Sequence, residues 1–197
     1  MKKPVIFIDL GDVFFRFDHK IIKRAAEKIG ISEGKIKKAL WVNWKAHAEG
    51  KISEKYYWRV SANELGVTKK QAEQLRKALY SALVPQDGMQ EVVRKLRKNY
   101  RVVVLSSQIT GWTRALEKKY RFSREFHEHH YSYDHGVDKP DVRLFLKAAK
   151  KMKVKPQECI VIDDMKKFLS GVKKTGARTI LFKNVKQLES QLRKLGV

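Results

Sequence analysis

A doubly wound α/β fold carrying an all-helical insertion is the architecture this sequence predicts, and three observations predict it. Short apolar runs end in polar or turn residues, strand-like and helix-like patterns alternate from residue 90 onward, and residues 18–84 read as helices with no convincing strand among them. Runs that are apolar at nearly every position suit parallel strands covered on both faces.

The first predicted strand is "VIFID" (5–9). Four helical patterns follow: "HKIIKRAAEKIG", "SEGKIKKALWVNWKAHAEG", "SEKYYWRVSANELG" and "TKKQAEQLRKALYSAL". Three open on or near Ser or Thr caps and three close on glycine. A crossover of that length makes a small helical domain of its own. "VPQDGM" (84–89) is the return hinge, since Pro and Gly break the helix before "QEVVRKLRK" resumes. The predicted boundaries are therefore a core of 1–16 and 86–197 and a helical domain of 17–85. Within the core, strands are expected at "RVVVLS" (101–106), "EHHYSY" (128–133), "CIVID" (159–163) and "RTILF" (178–182). Helices fill the gaps at 110–120, 141–152 and 165–176, and "NVKQLESQLRKL" forms the last one.

Forty-four Lys and Arg against 21 Asp and Glu leave a net charge of +23. Such an excess favours anionic partners, whether phosphorylated metabolites, nucleic acid or an acidic membrane surface. A lysine-rich solvated surface explains it equally well, because the basic residues are scattered in short groups. One cysteine, Cys159, excludes an internal disulfide and fits a reducing compartment. The start "MKKPVIFIDLGDVFF" imitates a signal peptide, but Asp9, Gly11 and Asp12 interrupt its apolar run. No stretch of about 18 apolar residues suggests a membrane span. The expectation is a soluble cytoplasmic protein that does not enter a membrane.

Asp9 closes a run that reads as buried, and a buried carboxylate is costly unless a cation or hydrogen-bond donors meet it. Ligands of open α/β sheets bind at the carboxyl ends of the strands. Those ends supply Asp9, Ser106, Asp163 and Asp164, with Lys139 in the loop of "GVDKPD". Hard oxygens of this kind hold Mg²⁺, while a lysine and a serine suit a bound phosphate. Asp9 then becomes a carboxylate nucleophile toward phosphorus. The blander readings are a strand-end turn for Asp9, a helix cap for Asp163 or Ser106, and a surface lysine for Lys139.

The order "FIDLGDV", "VVVLSS", "GVDKPDVRLF", "CIVIDD" and "GVKKTGARTILF" resembles the haloacid dehalogenase (HAD) superfamily over nearly the whole chain. It looks most like the branch whose first motif reads Asp-Leu-Gly, which includes glucose-1-phosphate phosphatases. The resemblance implies a Rossmann-like core with a C1-type helical cap, and a Mg²⁺-dependent phosphatase acting on a small phosphorylated substrate through an aspartyl-phosphate. It implies Asp9 as nucleophile and metal ligand, the Gly11 carbonyl on the metal, and Asp164 with Asp163 completing the metal site. Ser106 and Lys139 would hold the phosphoryl group.

Three positions depart from the pattern. Gly11 stands where the family commonly has a general-acid Asp, a loss that typically costs ~10²–10⁴-fold in rate. The next carboxylate, Asp12, points the other way in an extended segment. Ser107 stands where Asn is common, placed to meet substrate. Phe168 replaces a usual Asn or Asp and on its face supports neither the metal nor Lys139. In the insertion, Trp44 and His47 are the candidates to face the substrate, and Arg16 at the hinge is a candidate for an anionic one. His127, His129, His130 and His135 suggest zinc only weakly, since no cysteine lies near them. The competing functions are a dehalogenase-type hydrolase and a catalytically degenerate basic scaffold that binds nucleic acid.

Overall fold

The computed structural model describes residues 3–197, so Met1 and Lys2 of the predicted core lie outside the described residues. The chain opens with β1 (Val5–Ile8) and β2 (Phe15–Phe17) and then makes five helices. These are α1 (His19–Ile29), α2 (Glu33–Val42), α3 (Trp44–Ala48), α4 (Glu54–Leu65) and α5 (Lys69–Ser81). It returns through β3 (Leu83–Pro85), α6 (Met89–Arg97), β4 (Arg101–Ser106) and α7 (Thr110–Tyr120). β5 (Glu128–Tyr131), α8 (Ser132–His135) and α9 (Arg143–Lys151) follow. β6 (Cys159–Asp163), α10 (Lys166–Lys173), β7 (Arg178–Leu181) and α11 (Val185–Lys194) complete it.

β1, β4, β5, β6 and β7 form one parallel sheet in the order β5-β4-β1-β6-β7, with β1 central. Alternation along these strands feeds two cores. Ile6, Ile8, Val102, Val104, Ile160 and Ile162 face α6, α7 and α11 through Val93, Leu116 and Leu188. Phe7, Val103, Leu105 and Val161 face α9 and α10 through Phe145 and Leu169. Each of these side chains is essentially fully buried, worth about 1.5–3 kcal/mol against exposure. This is why the runs are apolar at both parities.

The five helices α1–α5 pack on their own cluster of Ile22, Ala26, Ile36, Leu75 and Leu79. Ser32, Ser53 and Thr68 cap α2, α4 and α5, and Asp18 caps α1. Gly30 and Gly66 end α1 and α4 in the left-handed region, at φ of 76° and 65°. A two-stranded ribbon marks the crossings between core and insertion: β2 and β3 pair antiparallel, Phe15 with Pro85 and Phe17 with Leu83. The expected boundary at 16/17 falls inside this ribbon and that at 85/86 at its end. Among the described residues no helix is long and apolar enough to cross a membrane.

Candidate active site

The C-terminal ends of β1 and β6 bring Asp9 and Asp163 together because their strands are neighbours in register, Ile8 opposite Ile162. The loop after α8 delivers Lys139 between them. Its Nζ lies 2.5 Å from Asp163 Oδ2 and 2.9 Å from Asp9 Oδ1, with 2% of its side chain exposed. One oxygen each of Asp9, Asp163 and Asp164 lies within 4.8 Å of the others. Burial alone would lower the Lys139 pKa, but Asp163 and Asp9 outweigh it and raise the value. Lys139 is an ammonium at any working pH. Burial pushes Asp163 up to about 7, against the pull of Lys139 and with the push of Asp9. Desolvation and Asp9 also raise Asp164, although that residue sits at the solvent edge.

Three carboxylates against one ammonium leave an excess of negative charge at a place where two of the three acids are buried. The donor set fits a hard divalent cation such as Mg²⁺, held by oxygens and completed by water. Both Asp163 oxygens are engaged: Oδ2 with Lys139, and Oδ1 accepting the Met165 N–H at 2.8 Å. Asp9 and Asp164 therefore offer the freer oxygens, and Asp163 caps its turn and anchors the lysine at once.

The other site residues separate into groups. Ser106 at the end of β4 is 1% exposed, and its Oγ accepts from Gln108 Nε2 at 3.3 Å, leaving its own proton to donate. It does not cap α7, which starts at Thr110 after an Ile109 that makes no side-chain cap. Ser107 fastens the lysine loop: its hydroxyl accepts from the Lys139 backbone N–H at 2.9 Å. Gly11 is partly exposed, with Leu10 beside it fully buried in the core. Asp12 adopts φ of 52° and its Oδ1 accepts from Phe17 N at 3.2 Å, tying it to the ribbon. Arg16 is exposed on β2.

Phe168 corrects an expectation. Its fully buried ring lies beneath the Lys139 ammonium, 5.0 Å from centroid to Nζ, so it supports that lysine through its π face. His47 is 3% exposed inside the helical insertion, stacked on Tyr57 and bonded through Nδ1 to the Ile52 carbonyl at 3.0 Å. It is a packing residue there, and burial lowers its pKa. Trp44 lies between insertion and core, its ring 5.4 Å from Trp112 and 5.2 Å from Trp41. The four clustered histidines do not gather around a metal-sized point with any acid, and His130 Nδ1 meets His135 Nε2 at 3.2 Å in a plain imidazole pair.

Two residues beyond the sequence reading hold the site's walls. Glu49, at the end of α3, takes the backbone N–H of Asp138 and is flanked by Lys51 at 2.6 Å, tying the insertion to the lysine loop. Gln108 ties the β4 tip to Ser132, its N–H donating to Ser132 Oγ at 3.1 Å. Asp138 stood in plain view beside Lys139 in "GVDKPD"; Glu49 carried no local signal.

A family model of haloacid dehalogenase-like hydrolases matches residues 5–165. An uncharacterised protein of Dictyostelium discoideum is 28% identical over 142 residues, 69% of this chain and 61% of that one. The chain thus spans about three fifths of that relative. Among solved structures, a HAD family enzyme from Bacteroides thetaiotaomicron in complex with magnesium and inorganic phosphate superposes with a TM-score of 0.80. It is 22% identical, over 93% of this chain and 96% of that one. A HAD-like family hydrolase from Porphyromonas gingivalis gives 0.81 at 22% identity over 99% and 98%. The L-2-haloacid dehalogenase of Xanthobacter autotrophicus, with chloropropionic acid covalently bound, gives 0.66 at 16% over 90% and 76%. At these identities the structural likenesses speak for the fold. With the family model matched over most of its length, this chain belongs to the haloacid dehalogenase-like hydrolases.

Proposed function

We propose that the chain is a Mg²⁺-dependent phosphomonoester hydrolase in which Asp9 is the nucleophile. The observation that carries this reading is the Lys139 ammonium seated between Asp9 and Asp163 with Asp164 at the open edge. A buried ammonium ringed by carboxylates is poised for an anion with several oxygens. Halide displacement needs no metal and leaves such an excess of acid unexplained. The magnesium and phosphate held by the Bacteroides relative support the same reading.

The Asp9 oxygen not paired with Lys139 attacks phosphorus, forming an O–P bond as the bond to the leaving oxygen breaks with its electron pair. Water then attacks the aspartyl-phosphate, returning the carboxylate and passing its proton to solvent. Lys139 and the free Ser106 proton stabilise the charge on the transferring group, each such donor being worth about 10²–10³ in rate. A Mg²⁺ ion held by Asp9, Asp164 and the Gly11 carbonyl would neutralise further phosphoryl charge. Phe168, Ser107 and Glu49 act through Lys139 by fixing its position.

The test is phosphate release from a panel of phosphometabolites and p-nitrophenyl phosphate, with and without Mg²⁺, beside Asp9→Asn. Turnover that needs Mg²⁺ and vanishes in Asp9→Asn is expected. Activity surviving that substitution removes Asp9 as nucleophile. Metal-independent halide release would assign a dehalogenase instead. Salt-sensitive retention on RNA without Mg²⁺ binding would assign a nucleic-acid scaffold.

A further inference from the structure

We infer that the edge of the sheet at β5 is a second binding surface, which holds the backbone of a single-stranded nucleic acid by its phosphates and with little regard to base sequence. The inference goes beyond the phosphatase reading and stands whether or not Asp9 is a nucleophile.

β5 is an outermost strand of the sheet, and a recess opens on each side of it. The first holds about 270 Å³ and is lined by Arg94, Arg97, Lys98 and His127, with no acid among them. Its cations are partly built in. Glu125, with 5% of its side chain exposed, takes Arg94 Nε and Nη2 in two hydrogen bonds of 2.8 Å, and Gln90 Nε2 braces the same carboxylate at 2.8 Å. A planar fork fixed from below in this way meets an anion with little ordering left to do. The His127 ring is fixed too, its Nδ1 engaged with the Val102 peptide groups, N at 3.1 Å and O at 3.2 Å. Arg97 and Lys98 are exposed and make no ion pair among the described residues.

The second recess, about 450 Å³, is lined by Asp134, His135, Lys147, Lys150 and Lys151. The His135 carbonyl seats Lys147, 2.7 Å from its Nζ, while Lys150 and Lys151 are exposed and unpaired among the described residues. α6 and α9 pack on opposite faces of the sheet, so the two recesses flank its edge from both sides. Both stand apart from the acidic tips in charge, and the first also in place. The His127 N–H donates to the Val102 carbonyl near the start of β4, and Ser106 lies about 13 Å further along that strand.

Cationic recesses on two faces of one edge suit a flexible polyanion that bends round it. A flat anionic bilayer reaches one face only, and the exposed apolar side chains Trp41, Val42 and Tyr56 lie on the helical insertion instead. A stiff duplex likewise lies against one face. The linings offer donors for phosphate oxygens and hold no Phe, Tyr or Trp to stack a base, so contacts to phosphate dominate and base identity matters little.

The experiment follows the fluorescence anisotropy of an oligouridylate of about 12 nucleotides as the full chain is added. The oligonucleotide is labelled at its 3′ end and carries a 5′-hydroxyl, so it offers no phosphomonoester to hydrolyse. Its affinity should fall with salt, at a log–log slope of about −3 for four or five phosphates met. Two paired variants remove the unpaired cations, Arg97→Gln with Lys98→Gln in the first recess and Lys150→Gln with Lys151→Gln in the second. Each should weaken binding about tenfold or more at 0.1 M salt and flatten the slope by about 1.4. Lys37→Gln with Lys38→Gln removes the same charge from α2 and should stay within about twofold. All six positions are exposed, so the variants keep the fold. An α2 pair that weakens binding as much as the recess pairs makes the attraction diffuse and overturns the inference. An effect confined to one recess overturns the path round the edge. Tighter binding of a duplex of equal length, or retention on phosphatidylserine vesicles with no oligonucleotide bound, overturns it as well.

Discussion

Two carboxylate clusters in this molecule look alike and are balanced oppositely. At the strand tips, three carboxylates gather about one ammonium, which pairs with Asp9 and Asp163 and leaves Asp164 without a cation. At the seam between insertion and core, Glu54 alone faces Arg114, Arg76 at 3.5 Å and the Tyr80 hydroxyl at 2.5 Å, with Trp58 Nε1 bonded to the same hydroxyl at 2.8 Å. The seam is complete: its one carboxylate has more partners than it needs, and Trp112 Nε1 seals it against the Leu79 carbonyl at 3.0 Å. The tips are short of positive charge. Native folds rarely keep a buried acid under-compensated for stability alone, so the imbalance itself marks where a cation and an anionic group belong.

Removing the one compensating charge should produce the largest effect. Lys139→Met leaves Asp9 and Asp163 buried without a partner, costing about 3–5 kcal/mol. Its thermal midpoint without metal should fall accordingly, and phosphatase turnover should drop by at least ~10²-fold. Mg²⁺ should raise the midpoint of the variant more than that of the parent, since it supplies the missing charge. A variant as stable as the parent in metal-free buffer would show that the tips carry no electrostatic stress.

Glu54→Gln probes the balanced cluster. It keeps the shape but removes the charge that two guanidiniums and a phenol share, so about 1–3 kcal/mol of stability should be lost. Its response to Mg²⁺ should match the parent's, because nothing at the seam calls for a metal. Gly111 confirms how closed this contact is, since a Cβ there would overlap Tyr80 Oη and the Glu54 carboxylate. A Mg²⁺-dependent rescue of Glu54→Gln would dissolve the contrast between the two clusters.

The same two places differ in how legible they were. The strand tips could be read because each acid closes a run of β-branched and aromatic residues, and a parallel sheet sends those ends to one edge. Lys139 could be placed by its loop. The seam could not be read: Glu54, Tyr80 and Arg114 are 26 to 60 residues apart and belong to helices whose patterns say nothing about mutual packing. The β2–β3 ribbon was missed for a similar reason. "FRF" and "LVP" are too short to alternate visibly, and their pairing joins residue 15 to residue 85. Phe168 looked like a defect because a polar residue was expected to hold the lysine by hydrogen bonds. An aromatic face does the same work by another force.

That substitution of force is measurable. Phe168 and Phe145 are both fully buried in the same core, but only Phe168 lies under a cation. Phe168→Leu should therefore cost more than Phe145→Leu, by about 1 kcal/mol, in denaturant melts. Equal losses would reduce Phe168 to packing alone.

The smallest effect tests whether neighbours decide the charge of a buried base. Lys139 is buried among acids and stays charged; His130 is buried near bases and stays neutral. Burial pushes His130 down to about 4, and His135, Lys151, His129 and Arg101 push the same way. Glu128 lies 3.7 Å from its Nε2 but is already paired with Arg101. The unfolded chain takes up a proton below about 6.5, whereas the folded one resists until about 4. Stability is thus whole above that window and declines as pH falls through it. Between pH 7 and 5.5 this one group should remove about 1 kcal/mol, and His130→Gln should flatten that part of the pH profile. A profile unchanged by the substitution would mean that His130 titrates alike in both states, and that its neighbours do not set its charge as those of Lys139 do.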